Sequence, residues 1–126
     1  MSIELNHTIV AARDKFGAAR FLTEVLDLPE PAAFGPFAVV ELSNDVSLDF
    51  MDAADVTGQH YAFLITEDDF DAVSARLRER GVPTYADPGH REPGHNTHDG
   101  GRALYFDSPD GHNLEVLTRP YGSGTA

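Results

Sequence analysis

Four side chains in this chain are of types that do chemistry: His7, Asp49, His60 and Glu115. Imidazole nitrogen and carboxylate oxygen are the donors that a divalent metal takes while leaving positions open for a substrate. Glu115 is the most demanding of the four. It stands in the apolar run Leu114-Glu115-Val116-Leu117, where an ionised carboxylate costs several kcal/mol unless it is paired, hydrogen-bonded or bound to a metal. His7, His60 and Glu115 together make a two-histidine, one-carboxylate triad, the set used by non-haem Fe(II) oxygenases. Adding Asp49 gives four donors, better suited to Lewis-acid work. Aspartate is one methylene shorter than glutamate, so Asp49 is a candidate fourth ligand or base whose reach decides the matter. Taken singly, a strand histidine is more often a hydrogen-bonded structural residue, and a strand glutamate marks an edge or an ion pair. What unites these four is a repeat.

The elements that must position them fall into two similar halves. Residues 5–11 (LNHTIVA) read as a strand with His7 on the face of Leu5 and Ile9. Asp14 can cap the amphipathic helix that follows over 15–26, with apolar residues at three- and four-residue spacings, and Pro29 and Pro31 lie beyond its end. Residues 37–42 and 46–51 form a hairpin around Ser43-Asn44-Asp45, with Asp49 in its second strand. After a polar linker, 60–65 is a strand opening on His60. A helix over about 68–80 carries Phe70, Val73 and Leu77 and stops at Gly81 and Pro83. Thr84 to Ala86 reads as a short strand. The closing hairpin joins Leu104-Tyr105-Phe106 to Leu114–Leu117 through Ser108-Pro109-Asp110-Gly111, whose proline fixes one φ and whose glycine is free to take φ > 0. Laid over each other, the halves pair His7 with His60 and Asp49 with Glu115, and two such half-sheets can pack about a pseudo-twofold axis.

The loop of residues 87–100 is rich in Gly, Pro and His. Its length suggests a lid, while His90, His95 and His98 in so irregular a stretch fix no metal geometry. His98 and Arg102 are candidates to touch substrate. Tyr105 is either core or a pocket hydroxyl, Tyr61 reads as core, and His112 as a turn residue. Arg119 either binds an anionic substrate group or pairs with the acidic surface.

Composition bounds the rest. The 126 residues, 41% hydrophobic, fit one domain over residues 1–122, with modules at about 3–52 and 59–120 and a flexible tail at 123–126. No apolar run approaches the roughly 20 residues of a membrane span, and the N-terminus lacks a basic, cleavable leader, so a cytoplasmic protein is expected. The absence of cysteine excludes disulfides and thiolate chemistry. A formal charge of -12 disfavours nucleic acid and anionic membranes as partners.

The closing YFDSPDGHNLEVL, with LNHTIV and QHYAFLI, resembles the vicinal oxygen chelate superfamily of glyoxalases, extradiol dioxygenases and fosfomycin- and bleomycin-resistance proteins, over about residues 3–120. The resemblance implies an α+β fold of two βαβββ modules, a curved mixed sheet around a metal and substrate cavity, and metal ligands at His7, His60 and Glu115. Glyoxalase-like members have a glutamate where this chain has Asp49. The expected protein is a divalent-metal enzyme (Fe, Mn, Ni or Zn) of the lyase/isomerase or extradiol dioxygenase kind, acting as a homodimer on a small substrate that chelates through adjacent oxygens. The alternative is a non-catalytic protein that sequesters an aromatic drug or metabolite.

Overall fold

The computed structural model describes residues 2–124. The chain divides into two compact units, 1–57 and 58–126.

In the first unit, strand β1 (His7–Ala12) leads into helix α1 (Lys15–Leu26), followed by β2 (Ala32–Phe34), β3 (Phe37–Glu41) and β4 (Ser47–Asp52). Asp14 caps α1 as its sequence position requires, accepting from the Gly17 N–H at 3.2 Å. The helix ends on Asp27 in the left-handed conformation, φ 55°. The sheet order is β1-β4-β3-β2, with β1 parallel to β4 and the other pairs antiparallel. Side chains alternate as the pleat dictates. Val10, Ala12, Ala38, Val40, Leu48 and Phe50 are buried on the face that α1 covers, while His7 and Ile9 on the other face are exposed. Within α1, Ala18, Ala19, Leu22 and Val25 are buried. Phe16 lies only half-buried beneath the cationic ends of Lys15 and Arg20.

The second unit repeats the plan: β5 (His60–Leu64), α2 (Glu67–Glu79), β6 (Ala103–Asp107) and β7 (Asn113–Leu117), in the order β5-β7-β6 with β5 parallel to β7. Thr66 caps α2, and Glu67, Asp68 and Asp69 in its first turn complement the helix dipole. Phe70, Val73 and Leu77 are its buried face, as their spacing predicts. The strand expected at Thr84–Ala86 is reduced to a single residue, Tyr85, bridged to Tyr105.

The long loop is mostly exposed and is held together by its own hydrogen bonds. Asp87 Oδ1 accepts from the backbone N–H groups of Arg91 and Glu92, each at 2.8 Å, the Gly94 N–H donates to the Thr84 carbonyl, and Asn96 and Ala103 exchange backbone bonds. His90 stacks on Tyr85 with ring centroids 4.3 Å apart, and a short 3-10 turn occupies His98–Gly100. Of the tail at 123–126, Ser123 and Gly124 are hydrogen-bonded and residues 125–126 lie outside the described range.

Candidate metal centre

The register places the four chemical residues at equivalent points. His7 pairs with Ser47 and Ile9 with Asp49; His60 pairs with Asn113 and Ala62 with Glu115. In each unit the histidine thus opens the first strand, and the carboxylate stands two residues further along the parallel partner.

In the second unit the pair closes. His60 Nε2 lies 3.1 Å from Glu115 Oε1, with Glu115 fully buried and the His60 side chain 45% exposed. The other ring nitrogen, Nδ1, is 2.8 Å from the Asn113 carbonyl oxygen. A carbonyl only accepts, so the Nδ1–H is the donor to Asn113. Nε2 faces the carboxylate at hydrogen-bond distance, where a ring proton or a metal cation would lie between nitrogen and oxygen, and an imidazole whose far N–H is tied to a backbone carbonyl is the usual arrangement of a ligating histidine. The pair therefore fits a divalent cation in donor type and orientation. It supplies two donors, and among the described residues no three His, Asp or Glu side chains are gathered as a metal would need.

In the first unit the equivalent pair stays open. His7 Nδ1 is bonded to Asn6 Oδ1 at 2.7 Å, and Asp49 accepts from Ser47 Oγ at 2.9 Å. The missing methylene leaves Asp49 serving its own strand.

Two tyrosines complete the surroundings of Glu115. The Tyr121 hydroxyl donates to both carboxylate oxygens at 2.7 Å, and lies 2.8 Å from the Tyr105 hydroxyl. Tyr105 is buried and its ring stacks beside that of His60, centroids 5.9 Å apart. Burial of the hydroxyl ends, reinforced in Tyr121 by the hydrogen bonds to Tyr105 and Glu115, pushes both phenols above their ordinary range. Both remain protonated donors. Tyr121 is the residue that the sequence does not announce, because it follows the last strand in a segment with no periodicity.

The side chains of Arg102 and Arg119 are bonded within the second unit. Arg102 binds Glu67 Oε1 at 2.7 Å and Asp71 Oδ1 at 2.8 Å, and its guanidinium lies 4.4 Å above Phe70. Arg119 Nη2 donates to the Ser123 carbonyl at 3.0 Å. His98 is exposed, its backbone N–H held by Asn96. His112 is buried and accepts from the Gln59 N–H at 3.0 Å, and the half-buried Tyr61 meets its ring edge-on.

The model of the glyoxalase/bleomycin resistance protein/dioxygenase superfamily matches residues 4–116. The chain belongs to that superfamily. Its relatives include enzymes. A glutathione transferase, FosA, of Serratia marcescens is 29% identical over 119 residues, which is 89% of this chain and 78% of that one. Two solved structures are much nearer. Oxidase ChaP-H1 is 58% identical with a TM-score of 0.94, covering 96% of this chain and 99% of that one. Oxidase ChaP-H2 is 57% identical with a TM-score of 0.96, covering 99% and 100%. The superfamily fold extends to a lactoylglutathione lyase of Agrobacterium tumefaciens, 18% identical with a TM-score of 0.70 over 94% of each chain. Among the described residues no helix is long and apolar enough to cross a membrane.

Proposed function

We propose that this chain is a metal-dependent oxidase of a small substrate with adjacent oxygens, in which His60 and Glu115 hold a divalent ion. The observation that carries the reading is the approach of His60 Nε2 to Glu115 Oε1 at 3.1 Å, with the far N–H of His60 tied to Asn113. The likeness to the two oxidases, at 58% and 57% identity over nearly the whole chain, favours oxidation over glyoxalase-type isomerisation.

An ion bound there supplies Lewis acidity and, if it is iron, one-electron chemistry toward O₂. The chain's own residues prepare the site. The backbone of β7 fixes the His60 tautomer through the Asn113 carbonyl, and the stacked Tyr105 ring limits the tilt of the imidazole. Complete burial of Glu115 strengthens its attraction for a cation, while the half-exposed edge of His60 leaves an open side for substrate. Asp49, half-buried and bonded to Ser47, is the candidate proton acceptor. A glutathione transferase reading asks for cations to receive an anionic substrate, and the guanidinium groups of Arg102 and Arg119 are engaged with Glu67, Asp71 and Ser123.

The test is metal content after purification in chelator-free buffer, followed by anaerobic reconstitution with Fe(II), Mn(II), Co(II), Ni(II) or Zn(II) and thermal melting. At a metal concentration of about 100 Kd, binding adds about 2.7 kcal/mol, or on the order of 10 °C in Tm. His60→Ala should abolish that shift, and oxygen uptake with a panel of vicinal diols and catechols should require the reconstituted metal. A protein whose melting ignores every one of these ions is a sequestering binder, and the oxidase reading then fails.

A further inference from the structure

Six residues beyond Glu115 the chain doubles back and delivers Tyr121 to the same carboxylate. The residue is 62% exposed, so core packing does not account for its position. Its hydroxyl nevertheless reaches both oxygens of a fully buried glutamate at the same 2.7 Å. The short segment that presents it is held at several points. The Ser123 N–H donates to the Pro120 carbonyl at 3.2 Å, Arg119 Nη2 to the Ser123 carbonyl at 3.0 Å, and the Gly124 N–H to Asp99 Oδ1 at 3.2 Å.

The terminal torsion of a glutamate is broad and roughly two-fold, so nothing in the side chain itself fixes the plane of its carboxylate. A donor equidistant from both oxygens does fix it. The Tyr121 hydroxyl is located in turn by Tyr105, which stands on β6 directly across from Glu115. We propose that Tyr121 is the positioning residue of the Glu115 carboxylate, setting its plane so that Oε1 faces His60 Nε2, with the segment 119–124 serving to hold the tyrosine in place. The consequence for metal binding rests on the reading of Glu115 as a ligand. Partners of this kind, one shell out from a metal, commonly change affinity by about 10- to 100-fold when removed.

Tyr121→Phe removes the hydroxyl and keeps the ring, so the metal-free variant should melt within about 2 °C of the parent. Anaerobic calorimetric titration with Co(II), followed by the visible spectrum of the bound ion, reads the carboxylate geometry without turnover. The expected result is a loss of affinity of about 10- to 100-fold and an altered cobalt spectrum. Tyr105→Phe, which leaves Tyr121 on the carboxylate but frees its hydroxyl from one partner, should weaken Co(II) by about 2- to 10-fold, and it serves as the readout if Tyr121→Phe fails to fold. Co(II) binding by Tyr121→Phe that is within twofold of the parent overturns the inference and leaves the metal reading standing. Tighter binding also overturns it, because the hydroxyl would then be a competitor for the carboxylate. If the parent chain takes up no Co(II), both fall.

Discussion

Glu115 and Asp49 occupy the same register position in their units, yet only Glu115 meets its histidine. The difference between them is one methylene. The His60–Glu115 contact was legible in the sequence because each residue breaks an apolar strand of a repeat. Tyr121 was not, since its contact with Glu115 depends on how a Gly- and Ser-rich segment folds back. Arg102 was not legible in its structural role either, because its long side chain reaches α2, more than 30 residues away in sequence. Hydrogen bonds from Thr118 and Arg102 hold Glu67, and those from Arg102 hold Asp71, below their ordinary values of 4.5 and 3.8. A carboxylate depressed in the folded state contributes stability above its unfolded pKa and loses it as pH falls through the folded value. Arg102→Ala should therefore lower Tm at neutral pH, and the gap should close as pH drops below 4.5 and then 3.8. Thermal scans from pH 7 downward check this, and added salt should shrink the same gap because Glu67 and Asp71 are exposed.

At the scale of elements, the helices were the most legible parts because their boundaries are chemical. Asp14 and Thr66 start them, and Gly81 with φ 69° stops the second. The short β2 was not legible, because all three of its residues are exposed and carry no alternation. The internal order of the loop at residues 87–100 was not legible either, since Asp87 organises it through backbone bonds that composition does not encode. The turn before β7 matters most for the site. The Gly111 N–H donates to the Ser108 carbonyl at 3.0 Å, the His112 N–H to Ser108 Oγ at 3.0 Å, and Gly111 sits at φ 83°. This closure sets which residues of β7 face β5, and a slip of one would turn Glu115 to the other face. An added Cβ at Gly111 would meet no neighbour within 4 Å, so Gly111→Ala isolates the backbone cost of a left-handed residue. Urea unfolding should show a loss of about 1 kcal/mol, and the cobalt affinity of the folded variant should stay at the parent value if the register holds.

For the molecule as a whole, two units of like plan were legible from the repeat, whereas their assembly is not written in any single stretch. Ile9 at 48%, Phe34 at 72% and Leu64 at 61% exposure leave apolar side chains on strands of both units open to water, area that a second copy of the chain would stabilise by covering. Light scattering after gel filtration should accordingly give the mass of two 13.7 kDa chains. Leu64→Glu should shift that mass toward one chain if the strand face of the second unit is part of the contact. The matched registers of the two units carry a consequence for how their side chains can be varied. Each unit has a histidine and a carboxylate at the same address. Only the second has that pair in contact, under two tyrosines. Asp49, held by Ser47, therefore answers to a different partner, and changing it should leave the His60–Glu115 pair undisturbed.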